Sequence, residues 1–235
     1  MLASWWGGTK EPATASDCHG CSLCLLPCPM WQQHRDVMFS PQGICKSMQA
    51  GAKAEDMQAV LASCVACGAC DVICPEGIDI TDIIMRERKQ LGLAEDVCTE
   101  AQGLTPFMMS CDPRVQAQLN EHDMYIIDAA VFHQHYEQRV AHYTSLREQT
   151  GCQLNLDLNR LAIPTGIGSH SAEGGLFDVK MQWDGLMQGR DVARMIVERY
   201  EDKEQIAAWT SVPVVHISDL MPVKTHENEV DDATS

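Results

Sequence analysis

The sequence predicts an α+β protein, with a helical N-terminal part followed by a small α/β part. Apolar residues recur at helical spacing in residues 52–64 and 78–92, which lie beside two cysteine-rich segments. After about residue 95, short apolar segments typical of buried strands alternate with amphipathic ones. We therefore expect a helical domain over residues 1–95, a small α/β domain over 96–222 and an acidic flexible tail over 223–235.

Eight of the twelve cysteines form two copies of one pattern. The copies are Cys18-x2-Cys21-x2-Cys24-x3-Cys28 followed by Pro29, and Cys64-x2-Cys67-x2-Cys70-x3-Cys74 followed by Pro75. Bacterial ferredoxins use this pattern to hold [4Fe–4S] clusters. The alternative is a pair of zinc sites, but tetrahedral zinc is held by two separated Cys-x2-Cys pairs. We therefore expect an α-helical ferredoxin domain with two [4Fe–4S] clusters.

In two-cluster ferredoxins, the fourth cysteine of each run ligates the other cluster. The first cluster would then be held by Cys18, Cys21, Cys24 and Cys74, and the second by Cys64, Cys67, Cys70 and Cys28. Pro29 and Pro75 are expected to turn the chain away after the fourth ligand. Gly20 and Gly68 are expected to bring backbone close to the sulfides, where a Cβ would crowd them.

Helices are expected to flank the cysteine runs. Residues 52–64 carry apolar side chains at helical spacing before the second run. Residues 78–92 predict a helix after it, with Asp79 or Thr81 as the N-cap and Gly92 near the end. The apolar face of that helix would consist of Ile80, Ile83 and Ile84.

The C-terminal part is predicted to alternate strands and helices. Strands are expected at 124–131, 160–163, 193–200 and 212–218, and helices at 133–149 and 201–211. The glycine-rich segment 163–175 lacks the third glycine of a dinucleotide loop, which would fall on Ser171, and no P-loop lysine follows. We expect a surface loop there, and a flavin or nicotinamide only in a partner.

The charge balance limits the classes of partner. The chain has 33 acidic and 17 basic residues, a net charge of −16. Nucleic acid and anionic lipid surfaces are therefore poor partners. The sequence also lacks an apolar run long enough to span a membrane and the features of a secretory signal. We expect a cytoplasmic protein, in which this many cysteines indicates metal rather than disulfides.

Residues 17–92 resemble a known family of iron–sulfur proteins. The two cysteine runs and the neighbouring helices are similar to those of the small ferredoxin-like component of heterodisulfide reductase and of the iron–sulfur subunits of anaerobic glycerol-3-phosphate, glycolate and lactate dehydrogenases. They are more distantly similar to that of succinate dehydrogenase. The resemblance implies an electron relay between a flavoprotein and a terminal redox site. It also points to the heterodisulfide-reductase-like complexes of sulfur oxidation as longer relatives.

One departure from that family bears on the partners. Members with their own terminal site carry adjacent cysteines, typically Cys-Cys-Gly, and this chain has no Cys-Cys pair. The resemblance then implies a hetero-oligomer in which a cysteine-rich Cys-Cys-Gly subunit holds the catalytic site. Two alternatives remain open: a diffusible dicluster ferredoxin with an appended binding domain, and a self-sufficient enzyme that uses a cysteine or histidine of the extension.

The remaining candidate residues lack ligand spacing. They are the histidines His122, His133, His135 and His142 and the cysteines Cys45, Cys98, Cys111 and Cys152. We expect structural histidines and buried, inert thiols, with Cys111 as the candidate for a redox-active exception. Trp5 and Trp6 are expected either to dock on a partner or to pack on the ferredoxin domain.

Overall fold

The computed structural model describes residues 12–93, 106–165 and 177–221. Its helices are α1 (Pro29–His34), α2 (Pro41–Gln49), α3 (Gln58–Ser63), α4 (Ala69–Ile73), α5 (Ile80–Gln90), α6 (Pro113–Gln116), α7 (Ala129–Gln134), α8 (Tyr136–Thr150), α9 (Val179–Met187) and α10 (Tyr200–Ala207). Residues 106–110 are also helical. The strands are β1 (Asp123–Ile126), β2 (Gln153–Leu154), β3 (Arg194–Val197) and β4 (Val214–His216). Within these ranges, no helix has the length and apolarity needed to cross a bilayer.

The helix predicted after the second cysteine run is confirmed. α5 begins after Asp79, whose carboxylate accepts the backbone N–H of Asp82, and Gly92 follows its end in a left-handed conformation. Its buried apolar residues include Ile80, Ile83 and Ile84. The helix expected at 52–64 is shorter: a 3₁₀ turn precedes α3. The helix α2 was not predicted; Ser40 caps it and Pro41 occupies its first turn.

The C-terminal part contains a four-stranded parallel sheet in the order β2-β1-β3-β4. Side chains alternate between its faces. Tyr125 points to a core shared with Phe132 and Tyr143 of α7 and α8. Met124 contributes to another core, shared with Trp183 of α9 and helix α10. Helices therefore cover both faces of the sheet, and the prediction of a mixed helix and sheet protein is confirmed.

Two predicted strands differ from the structure. The strand predicted at 124–131 is wrong in its second half. There the carboxylate of Asp128 accepts the backbone N–H groups of Ala130 and Val131, and this cap starts α7. The strand expected at 160–163 is also absent; Ala162 forms only an isolated bridge with Leu156.

Of the other helices and strands of the α/β part, two were missed and four were predicted. The two-residue strand β2 and the helix α9 were not predicted. The strands β3 and β4 and the helices α8 and α10 occupy the predicted segments. Residues 166–175 of the glycine-rich segment lie outside the described residues, as do Trp5, Trp6, Cys98 and the acidic tail.

The helical and α/β parts share a hydrophobic core. Met30 and Val65 of the cysteine-rich part belong to the same buried cluster as Phe132 and Leu154. The predicted domain boundary near residue 95 lies in the segment 94–105, outside the described residues. The α/β part therefore packs directly against the second cysteine run.

Candidate iron–sulfur site

The two cysteine runs adopt the same local backbone. In the first, Gly20 (φ 78°) and Ser22 (φ 67°) are left-handed; in the second, the equivalent residues are Ala66 (φ 49°) and Gly68 (φ 75°). Left-handed conformations in residues other than glycine are uncommon, so both loops are constrained by their surroundings. In each run the first three cysteines therefore lie on similarly shaped tight loops.

The glycines in these loops are needed first for their conformation. A Cβ built on Gly68 would lie 3.1 Å from the Cβ of His133, and one on Gly20 would lie 3.2 Å from the Cε of Lys46. The close neighbours are thus protein side chains. The prediction that a Cβ would crowd the sulfides is not tested by these contacts.

The first run and the end of the second line one cavity. Its wall includes the four cysteines predicted for the first cluster, namely Cys18, Cys21, Cys24 and Cys74. Gln42 contributes from the start of α2, and its side-chain oxygen is buried without a hydrogen-bond partner among the described residues. Cys74 thus reaches the loop of the other run, as the crossed pattern requires.

The other four cysteines form a second, more buried candidate site; they are Cys28, Cys64, Cys67 and Cys70. Burial and, to a lesser extent, the nearby Cys64 raise the pKa of the Cys28 thiol to about 12. Burial also raises the pKa of Cys67, with Cys64 and Cys28 acting in the same direction. The pKa of Cys70 is raised by burial, by Asp71 and by Cys67 and Cys64. These mutual influences place Cys28 beside the second run.

The donor set of both places fits an iron–sulfur cluster. Buried thiols with raised pKa values resist deprotonation, whereas coordination to iron deprotonates a thiol and neutralises its charge. Among the described residues, no three or more His, Cys, Asp or Glu side chains form a group that could hold a single metal ion. A cubane takes its four thiolates at four different irons.

Backbone N–H groups point at several of the sulfurs. The N–H of Ala66 donates to Cys64 Sγ at 3.4 Å. The N–H of Gln42 lowers the pKa of Cys24, although burial raises it overall to about 11. The first turn of α1 directs the N–H groups of Met30 and Trp31 at Cys28. Such bonds stabilise the thiolate form and are a known control of cluster potential.

The two places differ in exposure. Cys21 is exposed and Cys18 is half-buried, whereas Cys67 and Cys70 are each 8% exposed. The exposed side of the first place is flanked by Leu23 on the same loop, which is 40% exposed. The first loop therefore meets solvent, while the second is covered.

Arg88 and Asp71 hold the second run in place and were not predicted. Arg88 is buried on α5 and donates to the carbonyl oxygens of Leu61 (2.7 Å), Ala62 (3.0 Å) and Cys64. Asp71 lies within the second run and accepts the backbone N–H groups of residues 80 and 81 at 2.7 and 3.0 Å. The sequence did contain a signal for the contacts of Asp71, because it is an acidic residue inside the second cysteine run.

His133 connects the α/β part to the second loop. Its Nδ1 lies 2.5 Å from the carbonyl oxygen of Cys67, and its Nε2 accepts the N–H of Ala162 at 3.1 Å. Nδ1 therefore carries the hydrogen. Burial lowers the pKa of His133 to about 4, so the ring is neutral near pH 7. This role is structural.

The other candidate residues lie in varied places. Cys45 is fully buried next to the first cavity, and burial raises its pKa to about 12, with Cys18 and Cys24 adding to the effect. Cys152 is also fully buried. Cys111 is exposed, 3.7 Å from His142 Nδ1, and its pKa is raised by burial, so it is not an activated thiol.

Comparison with known proteins bears on the cysteine-rich part. Residues 14–78 match the family model of the 4Fe-4S dicluster domain. The match supports a ferredoxin-like domain that binds [4Fe–4S] and serves in electron transfer. No curated protein and no solved structure matches the chain. The match includes both loops and ends before α5 and the α/β part.

Proposed function

We propose that the protein is an electron-transfer iron–sulfur subunit that holds two [4Fe–4S] clusters. The single observation that carries this proposal is the cavity in which Cys74 joins the three cysteines of the first run. Two equivalent loops that exchange their fourth cysteine are the arrangement of two-cluster ferredoxins. The clusters supply reversible one-electron chemistry when bound.

The crossed ligand assignment is part of the proposal. The first cluster is held by Cys18, Cys21, Cys24 and Cys74, and the second by Cys64, Cys67, Cys70 and Cys28. The position of Cys74 supports the first set, and the influence of Cys64 on Cys28 and of Cys28 on Cys67 supports the second. Residues of the chain position these sulfurs, donate N–H bonds to them and exclude water from the second set.

The exposure of the two loops suggests an order of electron transfer. A partner would exchange electrons at the first set of cysteines, since Cys21 reaches the surface. The cysteines that would hold the second cluster lie beside the α/β part, where His133 binds the carbonyl oxygen of Cys67. Burial of the second cluster lowers its potential, because reduction adds negative charge, whereas N–H bonds to sulfur act in the opposite direction.

The partners proposed are a flavoprotein and a cysteine-rich Cys-Cys-Gly subunit in a cytoplasmic complex. The resemblance of residues 17–92 and the absence of adjacent cysteines from this sequence support a heterodisulfide-reductase-like assembly. Sulfur oxidation is the more specific candidate for its pathway. The second candidate, a diffusible dicluster carrier, is favoured by the net charge of −16.

Anaerobic purification of the tagged chain from its native host separates these candidates. Proteins retained after a salt wash are identified by mass spectrometry, with an untagged strain as the control. We expect stoichiometric recovery of a flavoprotein and of a protein with Cys-Cys-Gly motifs. Recovery of the brown chain alone would contradict the relay and favour the diffusible carrier.

A further inference from the structure

A cavity of about 630 Å³ lies in the α/β part and is lined by none of the eight cysteines of the two runs. Its wall is formed by the segment after β2, by the end of α8 and by α9, with Gln32 of α1 at one side. This volume is within the range of small-molecule sites, about 300–1,000 Å³. The cavity is therefore large enough for a small organic ligand.

Two arginines, Arg147 and Arg190, face this cavity. Arg190 is half-buried, and its pKa is lowered by burial and, secondarily, by the charge of Arg147. Bringing two guanidinium groups together costs electrostatic energy that a bound anion would offset. Arg147 itself is exposed, so water screens part of this repulsion and both guanidinium groups remain accessible to an anionic ligand.

Neither arginine forms an ion pair within the part of the chain that the structure describes. Other arginines do, and their carboxylate partners are Asp82 for Arg86, Asp112 for Arg114, Asp123 for Arg194 and Asp128 for Arg199. Arg190 donates one long hydrogen bond, 3.4 Å, to Gln153. Carboxylates are abundant in this chain, yet among the described residues none lies within ion-pair distance of either arginine.

One acidic side chain, Asp157, also belongs to the cavity wall. Its Oδ1 accepts the backbone N–H groups of Asn159 and Leu161, both at 2.8 Å. Apolar side chains, including Ile163 and Leu186, cover another part of the wall. The cavity thus combines two cations and one carboxylate, whose Oδ1 is held by backbone N–H groups, with an apolar surface.

We propose that this cavity binds a small organic dianion, with the charged headgroup between Arg147 and Arg190 and the carbon chain against Ile163 and Leu186. Guanidinium groups bind carboxylate and phosphate oxygens through paired hydrogen bonds. Gln32 and Gln182 supply amide groups beside them. A phosphate monoester and an alkylmalonate, which carries both carboxylates on one carbon, share this chemistry. The site does not depend on the ligand assignment of the clusters.

Calorimetric titration of the cluster-loaded protein under anaerobic conditions tests the proposal. The probes are n-butyl phosphate and n-butylmalonate at pH 8, with 1-butanol as the neutral analogue. At least one dianion should bind, and the tighter one identifies the class of headgroup. Arg147→Gln and Arg190→Gln should each weaken its binding at least tenfold, whereas Arg86→Gln, an exposed control, should leave it unchanged.

The ligand-free variants provide a second readout. Because each substitution removes repulsion without breaking an ion pair, the thermal midpoint of Arg147→Gln and Arg190→Gln should be unchanged or higher. The proposal would be overturned if neither dianion bound at millimolar concentration. Equal binding by the variants and wild type, or equal binding of 1-butanol, would also overturn it.

Discussion

At the scale of single residues, the eight cysteines of the two runs have unequal surroundings. Cys21 is exposed, whereas Cys28, Cys67 and Cys70 are buried. Burial raises the pKa of these three thiols, so they are protonated in the absence of iron. In the proposed assignment, loading of the second cluster would therefore release protons in a poorly solvated site. Assembly of that cluster is expected to be slower than that of the first.

Cysteine-to-serine variants test which cluster each fourth cysteine ligates. Cys74→Ser should abolish the same EPR signal as Cys21→Ser, and Cys28→Ser the same signal as Cys67→Ser, because a lost thiolate releases its own cluster. Each variant should fall from about eight to about four irons per chain. Cys111→Ser is the matched control and should keep both signals.

An uncrossed assignment makes the opposite prediction. Cys28→Ser would then share its lost signal with Cys21→Ser, and Cys74→Ser with Cys67→Ser. That pairing, measured on dithionite-reduced samples, would contradict the proposed ligand sets.

Glu198 makes the stability of the α/β part depend on pH. Its carboxylate is 3% exposed and accepts the hydroxyl groups of Tyr125 (3.0 Å) and Tyr143 and the N–H of Asp128 (2.8 Å). Burial raises the pKa of Glu198 from 4.5 to about 7. Since the folded pKa exceeds the unfolded one, the stabilisation is complete below pH 4.5 and is lost as the pH rises to 7.

The variant Glu198→Gln should lack this pH dependence. Between pH 5.5 and 8, the free energy of unfolding of the wild type should fall by about 2 kcal/mol relative to the variant, at about 1.4 kcal/mol for each pKa unit. Anaerobic urea titrations at both pH values measure the difference. Glu148→Gln, at an exposed position of α8, is the control, and parallel pH profiles for wild type and Glu198→Gln would refute the effect.

The cysteine spacing alone was sufficient to predict the candidate ligands, because each run is a short local pattern with a specific chemical use. The sequence could not predict Cys45 beside the first cavity or His133 beside Cys67. Those contacts join residues that are distant along the chain. No local spacing encodes them. The hydrogen bonds of the buried Glu198 to Tyr125, Asp128 and Tyr143 likewise join residues that are distant along the chain.

At the scale of elements, the end of α3 depends on a side chain from another helix. The last carbonyl groups of a helix lack intrahelical partners. Arg88 of α5 binds the carbonyl oxygens of Leu61 and Ala62 there and that of Cys64 at the start of the second run. α5 thus positions the loop that carries the buried cysteines.

Arg88→Met should damage this arrangement. The variant leaves three carbonyl groups without their donor, and we expect a loss of about 3 kcal/mol in the free energy of unfolding. It should also release iron faster to a chelator. Arg86→Met, on the exposed side of α5, removes only a surface ion pair with Asp82 and should cost less than about 1 kcal/mol. Equal stability of the two variants would show that Arg88 does not support the loop.

Helices and strands with clear periodicity were the predictable elements. α5, α8, β3 and β4 fall where apolar spacing indicated them. The end of β1 was missed because the apolar run continues through residue 131, and only the cap formed by Asp128 turns the chain into α7. β2 has two residues, too few for any periodic signal, and its pairing with β1 is non-local.

At the scale of the whole molecule, the α/β part covers the more buried of the two cysteine places. A hydrophobic cluster shared by Val65 and Phe132 joins the two parts, and the His133 ring crosses between them. The sequence indicated both parts from their different periodicities, but their packing depends on contacts without a sequence motif. In the proposed relay, the α/β part would therefore shield the second cluster from solvent.

The content of iron and acid-labile sulfide tests the central claim most directly. The wild-type chain is purified anaerobically, its metals and sulfide are quantified, and Mössbauer spectra are recorded. Two [4Fe–4S] clusters predict about eight irons and about eight sulfides per chain, all in cubane sites. About four irons, or zinc in place of iron, would contradict the account.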